Sequence, residues 1–89
     1  MKNGKGSGKL GLHDSKWVKI GSFVLSAMLE DLNSGDIITA KEIIAEAGAE
    51  TIEQKHSVRY AMLHAKKGCS AFKKPVIRGT NKPGIFVIL

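Results

Sequence analysis

The pattern of apolar and polar positions along the chain predicts a long amphipathic first helix, from residue 16 to about residue 33. Asp14 or Ser15 can cap the start of this helix, and Gly35 can supply the left-handed exit after its end. The polar stripe contains Lys16, Lys19, Ser22, Ser26, Glu30 and Asn33. The apolar face contains Trp17, Ile20, Val24, Leu25, Ala27, Met28, Leu29 and Leu32. Because this face is wide, we expect the helix to form the backbone of the core.

A short β-branched run at residues 36–38 predicts one strand, long enough to pair with a hairpin elsewhere in the chain. A capping box follows directly, because Thr39 and Glu42 can each satisfy a backbone donor of the other. We expect the second helix to begin there, to continue to Ala47 and to end at Gly48.

The third predicted helix also begins with a capping box, formed by Thr51 and Gln54. We expect it to continue to Lys67 and to stop at Gly68. Its apolar positions follow the helical period and should face the core: Val58, Ala61, Met62 and Ala65. The rest of this helix is mostly cationic.

The helical period disappears after Gly68, and two runs rich in β-formers, 72–78 and 85–89, predict strands. Residues 79–84, between them, are rich in turn formers, so the pair is expected to form a hairpin with a basic turn. Pro75 lacks a backbone donor and should lie at an edge or at the start of its strand.

The first 14 residues combine glycines and lysines with little apolar surface, and they predict a flexible basic arm ahead of one folded domain at 15–89. The arm lacks the pattern of a phosphate-binding loop, because Lys9 is followed by Leu10 instead of Ser or Thr. Two interpretations stay open: a solubilising tail, or an arm that touches DNA through Lys5 and Lys9.

The net charge of +6 is unevenly distributed along the sequence. Residues 1–19 contain five Lys and one Asp, residues 20–53 contain seven acidic residues and one Lys, and residues 54–89 contain eight Lys and Arg and no acid. A solvated surface usually mixes both signs. An acid-free block of this size therefore favours a polyanionic partner, whose phosphates release counterions when cations neutralise them.

Composition argues against several other functions. A chain of 89 residues, 43% hydrophobic and 25% charged, is typical of one small globular domain without a membrane span or a secretory signal. The lone Cys69 suits a reducing compartment, and we expect a cytoplasmic protein, associated with the nucleoid if it binds DNA. His56 and His64 lack further ligands for zinc, and no catalytic constellation is visible. We expect no enzyme activity, no cofactor and no metal.

The order α-β-α-α-β-β and three segments resemble the winged helix-turn-helix domains. Residues 38–48 resemble the first helix of a helix-turn-helix, 57–63 the middle of a recognition helix, and 72–89 the wing hairpin. The resemblance implies an α+β fold in which a three-helix bundle carries a small antiparallel hairpin. Between Gly48 and Val58 the chain has roughly four residues more than a tight helix-turn-helix, so either the turn is long or the recognition helix begins early.

In this family the third helix usually enters the major groove of duplex DNA, and the wing contacts the backbone or the minor groove. The resemblance implies the same roles for the basic residues here. Arg59 is the expected base-reading residue, because its planar fork can bind O6 and N7 of guanine together. Other expected DNA contacts are Lys55, His56, Ser57, Tyr60, Lys67, Lys73, Lys74, Arg78, Asn81 and Lys82. Tyr60 could equally cover the base of the hairpin.

Two alternatives to duplex DNA stay open. The acidic surface from Glu30 to Glu53, or the third helix, could instead dock a protein partner, because a fold alone does not determine function. RNA is a weaker alternative, since the chain has few aromatic residues for base stacking. The sequence ends at the predicted hairpin without an additional dimerisation helix, and we expect a monomer.

Overall fold

A computed structural model describes residues 14–89, which form three helices and a three-stranded antiparallel sheet. The elements follow in the order α1 (Ser15–Leu29), β1 (Ile37–Thr39), α2 (Ala40–Ala47), α3 (Ile52–Lys67), β2 (Ile77–Gly79) and β3 (Ile85–Ile88). The α+β class and the predicted order of elements are therefore confirmed. The predicted basic arm, with Lys5 and Lys9, lies outside the described residues except for Asp14.

Helix α1 begins as predicted, because the Asp14 side chain accepts a hydrogen bond from the backbone N–H of Lys16. Its end differs from the prediction. After Leu29 the backbone bonds become i to i−3, as in Leu32 N–H to Leu29 O at 3.3 Å, and the helix tightens and stops. Gly35 is left-handed, as expected, but it lies in the turn before β1, six residues after the last helical residue.

The face that α1 buries also differs from the prediction at two positions. Ala27, expected on the apolar face, is exposed. Ser22, expected in the polar stripe, is buried. The cause is the close approach of α3 at Gly21, where an added Cβ would lie 3.0 Å from the Cβ of Ala61 and 3.1 Å from the Cα of Val58. The glycine allows this contact, and the contact carries its neighbour Ser22 into the interior.

Both predicted capping boxes are present and fix the starts of α2 and α3. Gly48 and Gly68 end the two helices in the left-handed conformation, as predicted. Only residues 48–51 separate α2 from α3, so the extra residues before Val58 belong to an early start of α3.

The sheet has the strand order β1-β3-β2, so the strand nearest the C-terminus pairs on both sides. Ile38 lies opposite Phe86 in the first pair, and Ile77 lies opposite Ile88 in the second. The predicted pairing of the short strand with the hairpin is confirmed. Strand β2 is shorter than predicted, because residues 72–76 pass close to the end of α3: an added Cβ on Gly68 would lie 2.5 Å from the backbone nitrogen of Pro75.

The core lies between the three helices and the inner face of the sheet. The largest side chains with almost no exposure are Leu25, Ile38, Ile43, Val58, Met62 and Ile77. All four predicted core positions of α3 are buried. Helix α3 consequently has two flanks, one against α1 and one against the hairpin, and its outer face is exposed. None of the helices among residues 14–89 is long and apolar enough to cross a lipid bilayer.

Candidate nucleic-acid interface

The outer face of α3 carries most of the predicted contact residues of that helix. Since Val58, Ala61, Met62 and Ala65 turn toward the core, the opposite side of the helix faces solvent. Lys55, His56, Arg59 and Lys67 are all exposed: His56 and Lys67 lie opposite the core, whereas Lys55 and Arg59 lie closer to Met62, on the side of the helix that faces the hairpin. The structure thus brings together, on one surface, four side chains that the sequence suggested.

Arg59 lies at the boundary between α3 and the hairpin. It lines a concavity of about 430 Å³ together with Met62, the start of α2 at Ala40, and Pro83, Gly84 and Phe86 of the hairpin. The hairpin turn is fixed to α2, because the backbone N–H of Ala40 donates to the carbonyl of Gly84 at 2.8 Å. Arg59 therefore lies beside a turn whose position is set by its hydrogen bond to α2.

The hairpin turn is organised by Thr80. Its hydroxyl accepts the backbone N–H of Lys82 at 3.1 Å and is within donor distance of the carbonyls of Lys82 and Ile85, at 3.1 and 2.9 Å. These bonds hold Asn81 and Lys82 at the tip, where both are exposed. The tip thus carries a cation and an amide directly before Pro83 and Gly84, the turn residues that line the concavity with Arg59.

Lys66 belongs to this surface, although sequence reasoning did not select it. It is exposed, and its Nζ would lie 3.7 Å from a Cβ added to Gly79 of strand β2, so its side chain crosses toward the hairpin. The signal was present in the sequence: Lys66 follows Arg59 by seven residues, which is about two helical turns on the same face.

Ser57 is a correction to the predicted set. Its side chain has no exposed surface, and the hydroxyl accepts the backbone N–H of Asp14 at 2.9 Å and donates to the carbonyl of Glu53 at 2.9 Å. Ser57 therefore ties the start of α1 to α3 and cannot reach a DNA base. The sequence could not reveal this, because the partner is 43 residues away in the chain.

Tyr60 lies on the opposite flank of α3 from the hairpin, so the interpretation that it covers the hairpin base is also wrong. Its ring packs edge-to-face against His64, with 4.5 Å between centroids, and both line a groove against Val18 and Phe23 of α1. Nδ1 of His64 is buried and has no hydrogen-bond partner among residues 14–89. This flank is apolar and does not continue the basic surface.

Three predicted phosphate contacts lie away from Arg59. Lys74 lines a depression with Leu29 and Leu32, at the end of the hairpin opposite its turn. Lys73 is exposed beside it in the connecting segment. Arg78 pairs with Val87 on the outer face of the sheet, because its neighbour Ile77 faces the core. The structure therefore concentrates the candidate interface on α3 and the hairpin turn.

Charge along α3 is graded from one end to the other. The first turn contains Glu53, and the last turn contains the basic residues His64, Lys66 and Lys67. The exposed carboxylate of Glu50 precedes the helix. These charges would attract a polyanion to the middle and the C-terminal half of α3 and repel it from the first turn.

Comparisons with protein-family models, with curated proteins and with solved structures found no match to this chain. Within residues 14–89, no group of three or more His, Cys, Asp or Glu side chains is arranged to hold a metal ion.

Proposed function

We propose that this chain is a winged-helix domain that binds duplex DNA, with α3 in the major groove and the β2–β3 hairpin as the wing on the backbone or the minor groove. The observation that carries the proposal is the row formed by Arg59, Lys66 and the Lys82 turn along one flank of α3. The order of helices and strands supports it, because it is the order of the family that the sequence resembles.

The dimensions of α3 suit this role. A helix of 16 residues is about 24 Å long, and its width fits the major groove of B-form DNA, which is about 12 Å across. Arg59 stands in the middle of the helix on the exposed side, where it could bind a guanine edge with two hydrogen bonds. In this pose Lys66, at the hairpin flank of α3, and Lys82, in the hairpin turn, would neutralise phosphates.

The acidic first turn limits which part of α3 can approach the phosphates of DNA. In many helix-turn-helix proteins the N-terminal residues of the recognition helix contact the bases. Here Glu50 and Glu53 would lie close to phosphates in that pose. We therefore propose that the centre of α3, at Arg59, enters deepest, and that Lys55 is the contact nearest the N-terminus.

The test is fluorescence anisotropy with a labelled duplex of about 15 base pairs, short enough for one domain. We expect binding at low salt whose affinity falls linearly on a log-log plot, with a slope of roughly −0.9 for each phosphate neutralised. Absence of binding to any duplex at low salt would reject the proposal and favour a protein-interaction module. Tighter binding to single-stranded RNA of equal charge would favour the RNA alternative.

A further inference from the structure

Helix α1 presents a large apolar side chain to solvent at the middle of its outer face. Phe23 is 75% exposed, whereas its neighbours Ser22 and Leu25 are buried against the core. Exposing an aromatic ring of this size is costly, and apolar surface of this kind commonly marks an interface.

A groove lies directly beside this ring. It has a volume of about 610 Å³ and runs between α1 and α3, with Phe23 at its rim and Val18, Ser22, Tyr60 and Ala71 among its lining residues. The same patch of surface therefore carries both an apolar projection and an apolar concavity that could receive one. A two-fold interface requires this combination, because the same patch of surface on both copies must be complementary to itself: the projection of one copy enters the concavity of the other.

The charges on α1 are arranged symmetrically about Phe23. Lys16 precedes it by seven residues and Glu30 follows it by seven, so both lie about two turns away on the same exposed stripe. If two α1 helices cross antiparallel at Phe23, Lys16 of each copy faces Glu30 of the other. A parallel arrangement would place like charges together.

We propose that the outer face of α1 is a homodimer interface, in which two copies pack antiparallel about Phe23 and each places this ring in the groove of the other. The Lys16–Glu30 pairs at both ends select the orientation. The proposal does not depend on DNA binding, because Arg59, Lys66 and the hairpin lie on the other flank of α3 and stay free in such a dimer.

The first experiment is sedimentation velocity on the full chain, without DNA, over concentrations up to about 1 mM, the range in which weak interfaces are populated. We expect a reversible monomer–dimer equilibrium. Phe23→Glu should weaken it at least tenfold, on the order expected for a central interface residue. Ile52→Glu is the matched control, since Ile52 is 78% exposed on α3 and outside the groove, and should leave the equilibrium unchanged.

A charge exchange tests the orientation. Lys16→Glu and Glu30→Lys should each weaken self-association, because each creates two like-charge contacts across the two-fold axis. An equimolar mixture of the two variants should form a heterodimer at least as readily as the unmodified chain, since every contact is again between opposite charges. A monomer at all concentrations, or equal effects of Phe23→Glu and Ile52→Glu, would overturn the proposal. A mixture that stays monomeric would overturn the antiparallel arrangement.

Discussion

The two flanks of α3 differ in chemistry although they belong to one helix. On the hairpin flank, the exposed Arg59 lines a concavity with Met62 and Phe86, and the side chain of the exposed Lys66 crosses toward Gly79. On the α1 flank, Tyr60 and His64 pack on each other beside an apolar groove. We proposed a different partner for each flank, duplex DNA for the hairpin flank and a second copy of the chain for the α1 flank, and the following predictions test the contacts on which these proposals depend.

The largest effect is expected from reversing charge on the hairpin flank. Arg59→Glu combined with Lys66→Glu should raise the Kd for a short duplex at least ~100-fold, because a base contact and a phosphate contact are lost and two repulsive charges are gained. The measurement is fluorescence anisotropy at fixed low salt.

The matched control for that variant is Lys16→Glu combined with Lys19→Glu on α1. This double variant changes the net charge equally but lies away from the hairpin. It should raise the duplex Kd less than ~5-fold, because only long-range repulsion, weakened by salt, acts on the DNA. Equal losses in the two double variants would show that only net charge matters, and would contradict a defined interface on α3.

The second prediction concerns the packing of α1 on α3. Gly21→Leu should lower the free energy of unfolding by about 2–3 kcal/mol, because even a Cβ at this position would lie 3.0 Å from Ala61. Ala27→Leu, an exposed position on the same helix, should change it by less than about 0.5 kcal/mol. Urea unfolding followed by circular dichroism measures both, and similar midpoints for the two variants would contradict the close approach of the helices.

Adjacent residues of α3 provide the third prediction. Ser57→Ala should cost about 1–2 kcal/mol of stability, because the Asp14 N–H and the Glu53 carbonyl lose a buried partner, while duplex affinity of the folded protein stays unchanged. His56→Ala should show the reverse: unchanged stability and a small loss of affinity. Thermal unfolding and anisotropy on both variants check this, and a loss of affinity in Ser57→Ala without a loss of stability would contradict its structural role.

The contrast between Ser57 and His56 also shows what the sequence could predict. Helix starts and ends were predictable where the signal is local, as in the capping boxes at Thr39 and Thr51 and the glycines after α2 and α3. The burial of Ser22 and Ser57 was not, since it depends on how closely α1 approaches α3. The stripe of α3 was predictable from its period, and Lys66 could have been included by the same reasoning.

The hairpin shows the same limit for the candidate site. Turn formers at 79–84 correctly placed the tip, but the sequence could not tell which cations of the segment lie beside α3. That distinction depends on strand register and on the fixed contact between Ala40 and Gly84. It separates Lys82, whose neighbour Pro83 shares a concavity with Arg59, from Lys74, at the other end of the hairpin.

The smallest expected effect tests that separation directly. Lys82→Ala should weaken duplex binding only about 3-fold at moderate salt and reduce the magnitude of the salt slope by roughly 0.9, because one phosphate contact is removed. Lys74→Ala removes the same charge beside Leu29 and Leu32, away from the turn, and should leave the slope unchanged. Comparing slopes is more informative than comparing affinities, since a slope counts neutralised phosphates whereas a small affinity change can arise from net charge alone. A reduced slope in Lys74→Ala with none in Lys82→Ala would move the interface from the turn of the hairpin to its base.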